Sequence, residues 1–95
     1  MEENEKYLLI FNHFGLENQL EKLKEECDEL IEAIKEYDGS ESSREHIVEE
    51  TGDVQNVLNQ FKLVFKISDK ELIPTMIFKN DRTLERIESG YYKRG

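Results

Sequence analysis

Four acidic side chains in the first sixty residues have the types and spacing of a metal site. Glu26 and Glu29 are three residues apart, and so are Glu50 and Asp53. In an α-helix, residues three apart share a face with Cβ atoms roughly 5 to 6 Å apart, so each pair repels itself unless a cation lies between the carboxylates. Oxygen ligands without histidine or thiolate favour Mg²⁺ or Mn²⁺ over zinc or copper. The two pairs together predict a divalent-metal site, although each acid alone is more simply a solvated surface residue.

The first acidic pair lies in the middle of a predicted helix over residues 16–37. Apolar residues recur there every three or four positions and predict one buried face along which the acids form a flank. This face consists of Leu16, Leu20, Leu23, Cys27, Leu30, Ile31 and Ile34.

The second pair lies in a predicted helix that starts after a Ser42–Glu45 capping box. Glu50 falls inside its apolar line, and a carboxylate buried without a partner is costly. An antiparallel pairing of the two helices along their apolar faces would bring the four carboxylates to one side.

Two further helices complete the predicted fold. A short amphipathic helix over residues 3–14 ends at Gly15, and a last helix runs from a Ser68–Glu71 capping box to about Ser89. Pro74 predicts either a kink in that helix or a start near Ile73. The expected fold is all-α, a single four-helix-bundle-like domain over residues 1–95, with oligomerisation completing a core that is small for so short a chain.

Several residues near the acids are candidates for other roles. Glu25 and Glu49 each precede a proposed ligand and are candidates for orienting a catalytic water. Gln19 lies on the same flank as the acids. In the last helix Lys79, Arg82 and Arg86 form a basic row that suits phosphate oxygens, although a solvated face explains the row equally well.

Composition excludes several classes of function. The net charge is −9, which argues against a nucleic-acid polymer as partner. Residues 1–60 carry 17 acids and 5 bases, whereas residues 61–95 carry 5 acids and 8 bases, so a cation and an anion could be held on opposite sides of one site. Cys27 is the only cysteine, which rules out an intramolecular disulfide. Without a long apolar run or a signal-peptide pattern, the protein is expected in the cytoplasm, with no membrane partner.

The arrangement of these motifs resembles a known family. Phe14-Gly15, Gln19, the run from Lys22 to Glu29 and the later Glu49-Glu50-x-x-Asp53 are similar to the MazG-like branch of the all-α nucleoside triphosphate pyrophosphohydrolases. The resemblance covers roughly residues 14–87.

The resemblance implies an Mg²⁺-dependent hydrolase that converts a nucleoside triphosphate to a monophosphate and pyrophosphate. Glu26, Glu29, Glu50 and Asp53 would hold the metal, and a water activated there would attack the α-phosphorus. The row of Lys79, Arg82 and Arg86 would bind the outer phosphates, and Gln19 would hydrogen-bond a phosphate or the base. The family usually forms homodimers or dimers of dimers, and a second subunit is expected to finish the base pocket.

Two other interpretations remain open at this point. One is a non-catalytic helical interaction module whose acidic faces bind a basic partner. The other keeps the fold and the metal but changes the substrate to a related compound such as phosphoribosyl-ATP.

Overall fold

The computed structural model describes residues 1–92 and contains four helices. They are α1 (Glu3–Phe14), α2 (Leu16–Lys35), α3 (Glu41–Val64) and α4 (Asp69–Glu88). The described residues contain no strand. The predicted all-α fold with four helices and a short first one is therefore confirmed.

The junction between α1 and α2 is a single residue, as the glycine at that position predicted. Gly15 has φ 85°, a conformation that L side chains rarely adopt, and its N–H donates to the carbonyl of Phe11. This left-handed residue ends α1 and lets α2 begin at once, so α1 folds back beside the start of the longer helix.

The start of α3 differs from the predicted one. The N-cap is Ser40, whose hydroxyl accepts from the N–H of Ser43, and the helix begins at Glu41. The predicted Ser42–Glu45 capping box is wrong because the upstream serine satisfies the free backbone N–H group first. Asp38 supports this cap by accepting from Ser40 N and Ser43 Oγ. Hydrogen bonding from the side chain and then the backbone of Ser40, and from the side chain of Ser43, lowers the pKa of Asp38 to about 2.

The second capping box, at α4, is confirmed. The Glu71 carboxylate accepts from the backbone N–H of Ser68 at 3.2 Å. Helix α4 starts at Asp69 and continues through Pro74, so the alternative start near Ile73 is wrong. At its other end Ser89 is the C-cap and Gly90 follows with φ 77°, as predicted.

Helices α2 and α3 form an antiparallel hairpin around which α1 packs. Across the hairpin Gln19 lies opposite Gln60, and Glu29 lies opposite Glu50. Tyr7 on α1 is bound by two side chains of α3, because its hydroxyl donates to Asn56 Oδ1 at 3.1 Å and accepts from Asn59 Nδ2 at 3.2 Å. The ring of Phe11 meets Phe61 edge-to-face, with centroids 5.8 Å apart.

The face of α2 that is buried in the chain is not the predicted apolar one. Its buried residues are Gln19, Glu26 and Ala33, whereas about half of each of Leu16, Leu20, Ile31 and Ile34 is exposed. The helix is turned so that the flank carrying the acids faces α1 and α3. The predicted burial of the apolar face is therefore only partly correct: Leu23, Cys27 and Leu30 are half-buried, but the polar flank takes the most buried place.

Helix α4 stands off from the other three. No Cα atom of α4 lies within 8 Å of a Cα of α1, α2 or α3. The turn between α3 and α4 sets the direction of α4. In this turn Lys66 has φ 55°, and the N–H of Ile67 donates to the carbonyl of Lys62. The radius of gyration is consequently 17.0 Å, against about 12 Å for a compact domain of this length.

The apolar surface left open is large. The accessible surface is 7807 Å², whereas a compact monomer of this mass would expose about 5,700 Å². Part of it is an apolar face formed by Leu16, Leu20, Leu23, Leu58, Phe61 and Phe65, which we call the leucine face. Helix α4 adds exposed apolar side chains, among them Ile73, Ile77 and Leu84.

Within the described part of the chain, none of the helices has the length and apolar character needed to cross a membrane.

Candidate metal centre

The four acids predicted as metal ligands come together between α2 and α3. One carboxylate oxygen from each of Glu26, Glu29, Glu50 and Asp53 can be chosen so that all four lie within 4.8 Å of one another. The antiparallel hairpin brings the two pairs face to face, so the i, i+3 spacing on each helix becomes a compact set of four. Such a set of oxygen donors suits a hard divalent cation.

The two inner acids contain oxygen atoms that lack partners. Glu26 is 4% exposed, and the Oε2 atoms of Glu26 and Glu50 are buried without a hydrogen-bond partner among the described residues. A buried carboxylate oxygen without a partner costs free energy, and a bound cation would remove that cost. These orphaned oxygens are the observation that distinguishes this cluster from an ordinary acidic surface.

Glu50 changes the acidity of Glu29 across the hairpin. Hydrogen bonding with Glu50 raises the pKa of Glu29, and partial desolvation and the negative charge of Glu50 act in the same direction. His46 also approaches the cluster, with Nε2 3.4 Å from Glu50 Oε1.

Lys22 supplies a positive charge at the other edge. Its Nζ lies 3.0 Å from Glu26 Oε1 and 3.8 Å from Glu25 Oε1. The hydrogen bond to Glu26 and the charge of that carboxylate raise the pKa of Lys22, so its side chain stays protonated beside the acids.

A groove of about 700 Å³ opens directly beside the four clustered acids. Glu26 and Asp53 lie at one end, Gln19 and Gln60 form part of its lining, and residues of α1 form a wall. Of the two phenylalanines of α1, Phe14 lines the groove, whereas Phe11 is buried against α3.

The other predicted site residues lie in three different places. Gln19 and Glu25 line the groove, as their position on the acid flank suggested. Glu49 is exposed and outside that lining. The basic row lies on the detached α4, where the guanidinium groups of Arg82 and Arg86 rest over the rings of Phe78 and Tyr91 and Lys79 is exposed. Within one chain the row is therefore not brought to the acids.

Sequence reasoning gave no role to several residues that line the groove, namely Asn18, Lys22, Asn56 and Gln60. A signal for Gln60 was available, because it continues the spacing of Glu50, Asp53 and Val57 along one face of α3. The apolar line beside that face gives a stronger helical pattern, so its polar residues were not predicted to line a site.

Comparison with known proteins agrees with this geometry. A family model described as the MazG nucleotide pyrophosphohydrolase domain matches residues 14–81. No curated protein and no solved structure matches the chain. The matched segment contains all of α2 and α3, hence all four clustered carboxylates, and the first part of α4. The chain belongs to the MazG nucleotide pyrophosphohydrolase family.

Proposed function

We propose that this protein is a cytoplasmic Mg²⁺-dependent pyrophosphohydrolase that cleaves a nucleoside triphosphate between the α- and β-phosphates. The products would be a nucleoside monophosphate and pyrophosphate. The observation that carries the proposal is the set of four carboxylate oxygens within 4.8 Å, two of whose residues contain buried oxygens without partners, at the end of a groove of about 700 Å³. That volume lies within the range of small-molecule sites.

The donor set fits Mg²⁺, with Mn²⁺ as an alternative. Glu26, Glu29, Glu50 and Asp53 would hold the ion through carboxylate oxygens, which are the ligands that hard cations prefer. When bound, such an ion neutralises phosphate charge and lowers the pKa of a coordinated water, the chemistry needed for attack on the α-phosphorus.

The residues of the chain itself would bind and orient the substrate. Lys22 forms an ion pair with Glu26. A ligand phosphate beside the acids would give its ammonium group a second anionic partner. Glu25 lines the groove next to this lysine and is the better placed of the two candidates for orienting water. Glu49 stays a weaker candidate, because it is exposed and outside the groove lining.

The basic row of α4 would act on the site of another subunit. Lys79, Arg82 and Arg86 lie on a helix that packs against no other described helix of its own chain, so they would meet a triphosphate only where α4 packs on a second copy. Positive charge on the outer phosphates would then stabilise the leaving pyrophosphate.

A homodimer or a dimer of dimers accounts for the exposed apolar surface. The accessible surface of 7807 Å² exceeds that of a compact monomer by about 2,000 Å², more than the roughly 800 Å² that each partner contributes to a standard interface. The leucine face and the apolar residues of α4 are the surfaces for which this burial is expected.

Light scattering is expected to give two or four times the chain mass of 11.3 kDa. Leu20→Glu should shift this distribution toward the monomer, because it places a charge on the leucine face. Leu9→Glu is the matched control, since Leu9 is equally exposed but lies on α1 outside that face. A wild-type protein that stays monomeric at tens of micromolar would contradict the oligomer.

The function itself is tested by incubating the protein with canonical and modified nucleoside triphosphates and Mg²⁺ and measuring both products. Pyrophosphate and the monophosphate should appear in equal amounts, and a chelator should abolish both. Release of orthophosphate would indicate cleavage at another bond. No product from any nucleoside triphosphate would reject this activity and leave two interpretations, a related substrate such as phosphoribosyl-ATP and a non-catalytic interaction module.

A further inference from the structure

Two glutamine side chains form a buried amide pair in the floor of the groove. Gln19 Nε2 donates to Gln60 Oε1 at 2.7 Å, and each residue is only 4% exposed. One residue comes from α2 and the other from α3, so the pair bridges the hairpin. Buried amides of this kind must satisfy their remaining donor and acceptor groups or lose free energy.

The pair leaves one donor and one acceptor for a ligand. Within the described chain, Gln19 Oε1 and Gln60 Nε2 have no hydrogen-bond partner, yet neither atom is among the fully enclosed polar atoms without one. Since both residues line the groove, these two atoms are open to it. A purely structural brace across the hairpin would not need to present a free donor and a free acceptor to a groove.

The position of the pair suits the far end of a nucleotide. Gln19 precedes Glu26 by seven residues on α2, and Gln60 follows Asp53 by seven on α3. Seven helical residues rise about 10 Å, which is the scale of a nucleoside between its α-phosphate and the outer edge of its base. Ile10 and Phe14 of α1 add an apolar wall to the same groove.

We propose that the Gln19–Gln60 pair reads the hydrogen-bonding edge of the base and accepts both amino and oxo substituents there. This inference rests on the proposed function. Each amide can turn end for end, and if both turn together the internal hydrogen bond is kept while the open donor and acceptor change places. An edge with an amino group next to an acceptor and an edge with a carbonyl next to N–H are then both satisfied.

The reversible pair predicts weak discrimination between bases that differ only at this substituent. CTP and UTP form one such couple, and ATP and ITP form another. In each couple that the wild-type protein accepts, kcat/KM should differ by less than about tenfold. A wild-type difference of a hundredfold or more would overturn the proposal.

Gln60→Glu should fix the pair in one state and favour a base edge that presents two donors. The carboxylate still accepts from Gln19, so both atoms left open to the groove are then acceptors. The amino and oxo edges each keep one matched group and lose the other, whereas guanine presents N1–H beside a 2-amino group that the base of ITP lacks. The ratio of kcat/KM for the couple GTP over ITP should rise at least about tenfold, at a pH near 8.5 that keeps the carboxylate ionised. Gln19→Glu should change this ratio in the same direction, and it serves as the second variant if the first fails to fold.

Asn18→Asp is the matched control. It adds the same charge to the lining of the groove at an exposed residue whose Nδ2 donates only to the carbonyl of Phe14. Both members of a couple should weaken together, so the ratio should stay unchanged. An unchanged ratio in both glutamate variants, or an equal change in Asn18→Asp, would overturn the proposal.

Nucleotide binding separates this inference from the proposed function. Calorimetric titration of the same triphosphates with Ca²⁺ in place of Mg²⁺ gives the ratio of dissociation constants without turnover. If the wild-type protein binds nucleotides but releases no pyrophosphate, the function fails, and a shift of this ratio in Gln60→Glu still supports the base-reading pair. If it neither binds nor hydrolyses any of them, both proposals are overturned.

Discussion

Glu50→Gln is expected to lower Mg²⁺-dependent release of pyrophosphate by at least about a hundredfold, which corresponds to roughly 2.7 kcal/mol of transition-state stabilisation. Glu50 stands in the apolar line of α3, its side chain is 13% exposed, and its Oε2 has no partner in the described chain. Glutamine keeps the shape of the side chain but replaces a charged ligand oxygen with a neutral amide. The acid cluster would then hold a divalent cation more weakly and neutralise less of its charge.

The Mg²⁺ dependence shows whether the loss arises at the metal. The variant should need a higher Mg²⁺ concentration for half-maximal activity, while its far-UV circular dichroism stays that of the wild type. Glu45→Gln is the control, because Glu45 is an exposed carboxylate on the same helix and outside the acid cluster. Full activity in Glu50→Gln, or an equal loss in Glu45→Gln, would contradict the assignment of Glu50 as a ligand.

Local sequence signals predicted the helices well because their ends are determined by neighbouring residues. Gly15 supplies the positive φ that ends α1, and Ser68 with Glu71 starts α4. The start of α3 was misplaced because Ser40, Ser42 and Ser43 can each cap a helix, as Ser68 does for α4. The spacing of residues alone does not choose among these three neighbours. The hydrogen bonds of Asp38 to Ser40 and Ser43 decide the choice.

The orientation of α2 could not be predicted from its apolar residues. Periodicity assumes that the most apolar face is buried within the chain, and in α2 that face is half exposed while Gln19 and Glu26 are buried. A helix that packs against its own chain on one face and leaves a second face open carries two overlapping patterns of residues. Both patterns are present in the sequence, but periodicity does not show which face packs against which neighbour.

The acids were predictable for a different reason. The i, i+3 spacing fixes the relation within each pair, and a hairpin of two antiparallel helices needs only the correct register to join the pairs. That register is visible in Gln19 opposite Gln60 and Glu29 opposite Glu50. The basic row of α4 was not predictable in the same way, because α4 packs against none of the other described helices and its distance from the acids is not set by the hairpin.

Removing the metal is expected to lower the melting temperature by on the order of 10 °C. An ion at a hundred times its dissociation constant stabilises the folded state by about 2.7 kcal/mol, and each kcal/mol changes the melting temperature of a domain of this size by roughly 4 to 8 °C. The physical source is the repulsion among four carboxylates whose oxygens lie within 4.8 Å. The measurement compares thermal unfolding in Mg²⁺ and in chelator at equal ionic strength.

The pH dependence of this stabilisation follows from Glu29. Its pKa is raised in the folded protein, so proton binding by Glu29 stabilises the folded state at low pH, and this stabilisation is lost as the pH rises through the raised value. The gain from Mg²⁺ should therefore be small near pH 4.5, where Mg²⁺ competes with that proton, and larger at pH 8. Glu29→Gln should weaken this pH dependence, because it removes one repelling charge from an exposed position: in chelator the variant should melt higher than the wild type at pH 8, and Mg²⁺ should raise its melting temperature by less. Equal melting temperatures with Mg²⁺ and chelator in the wild-type protein at pH 8 would mean that the four carboxylates do not form a metal site.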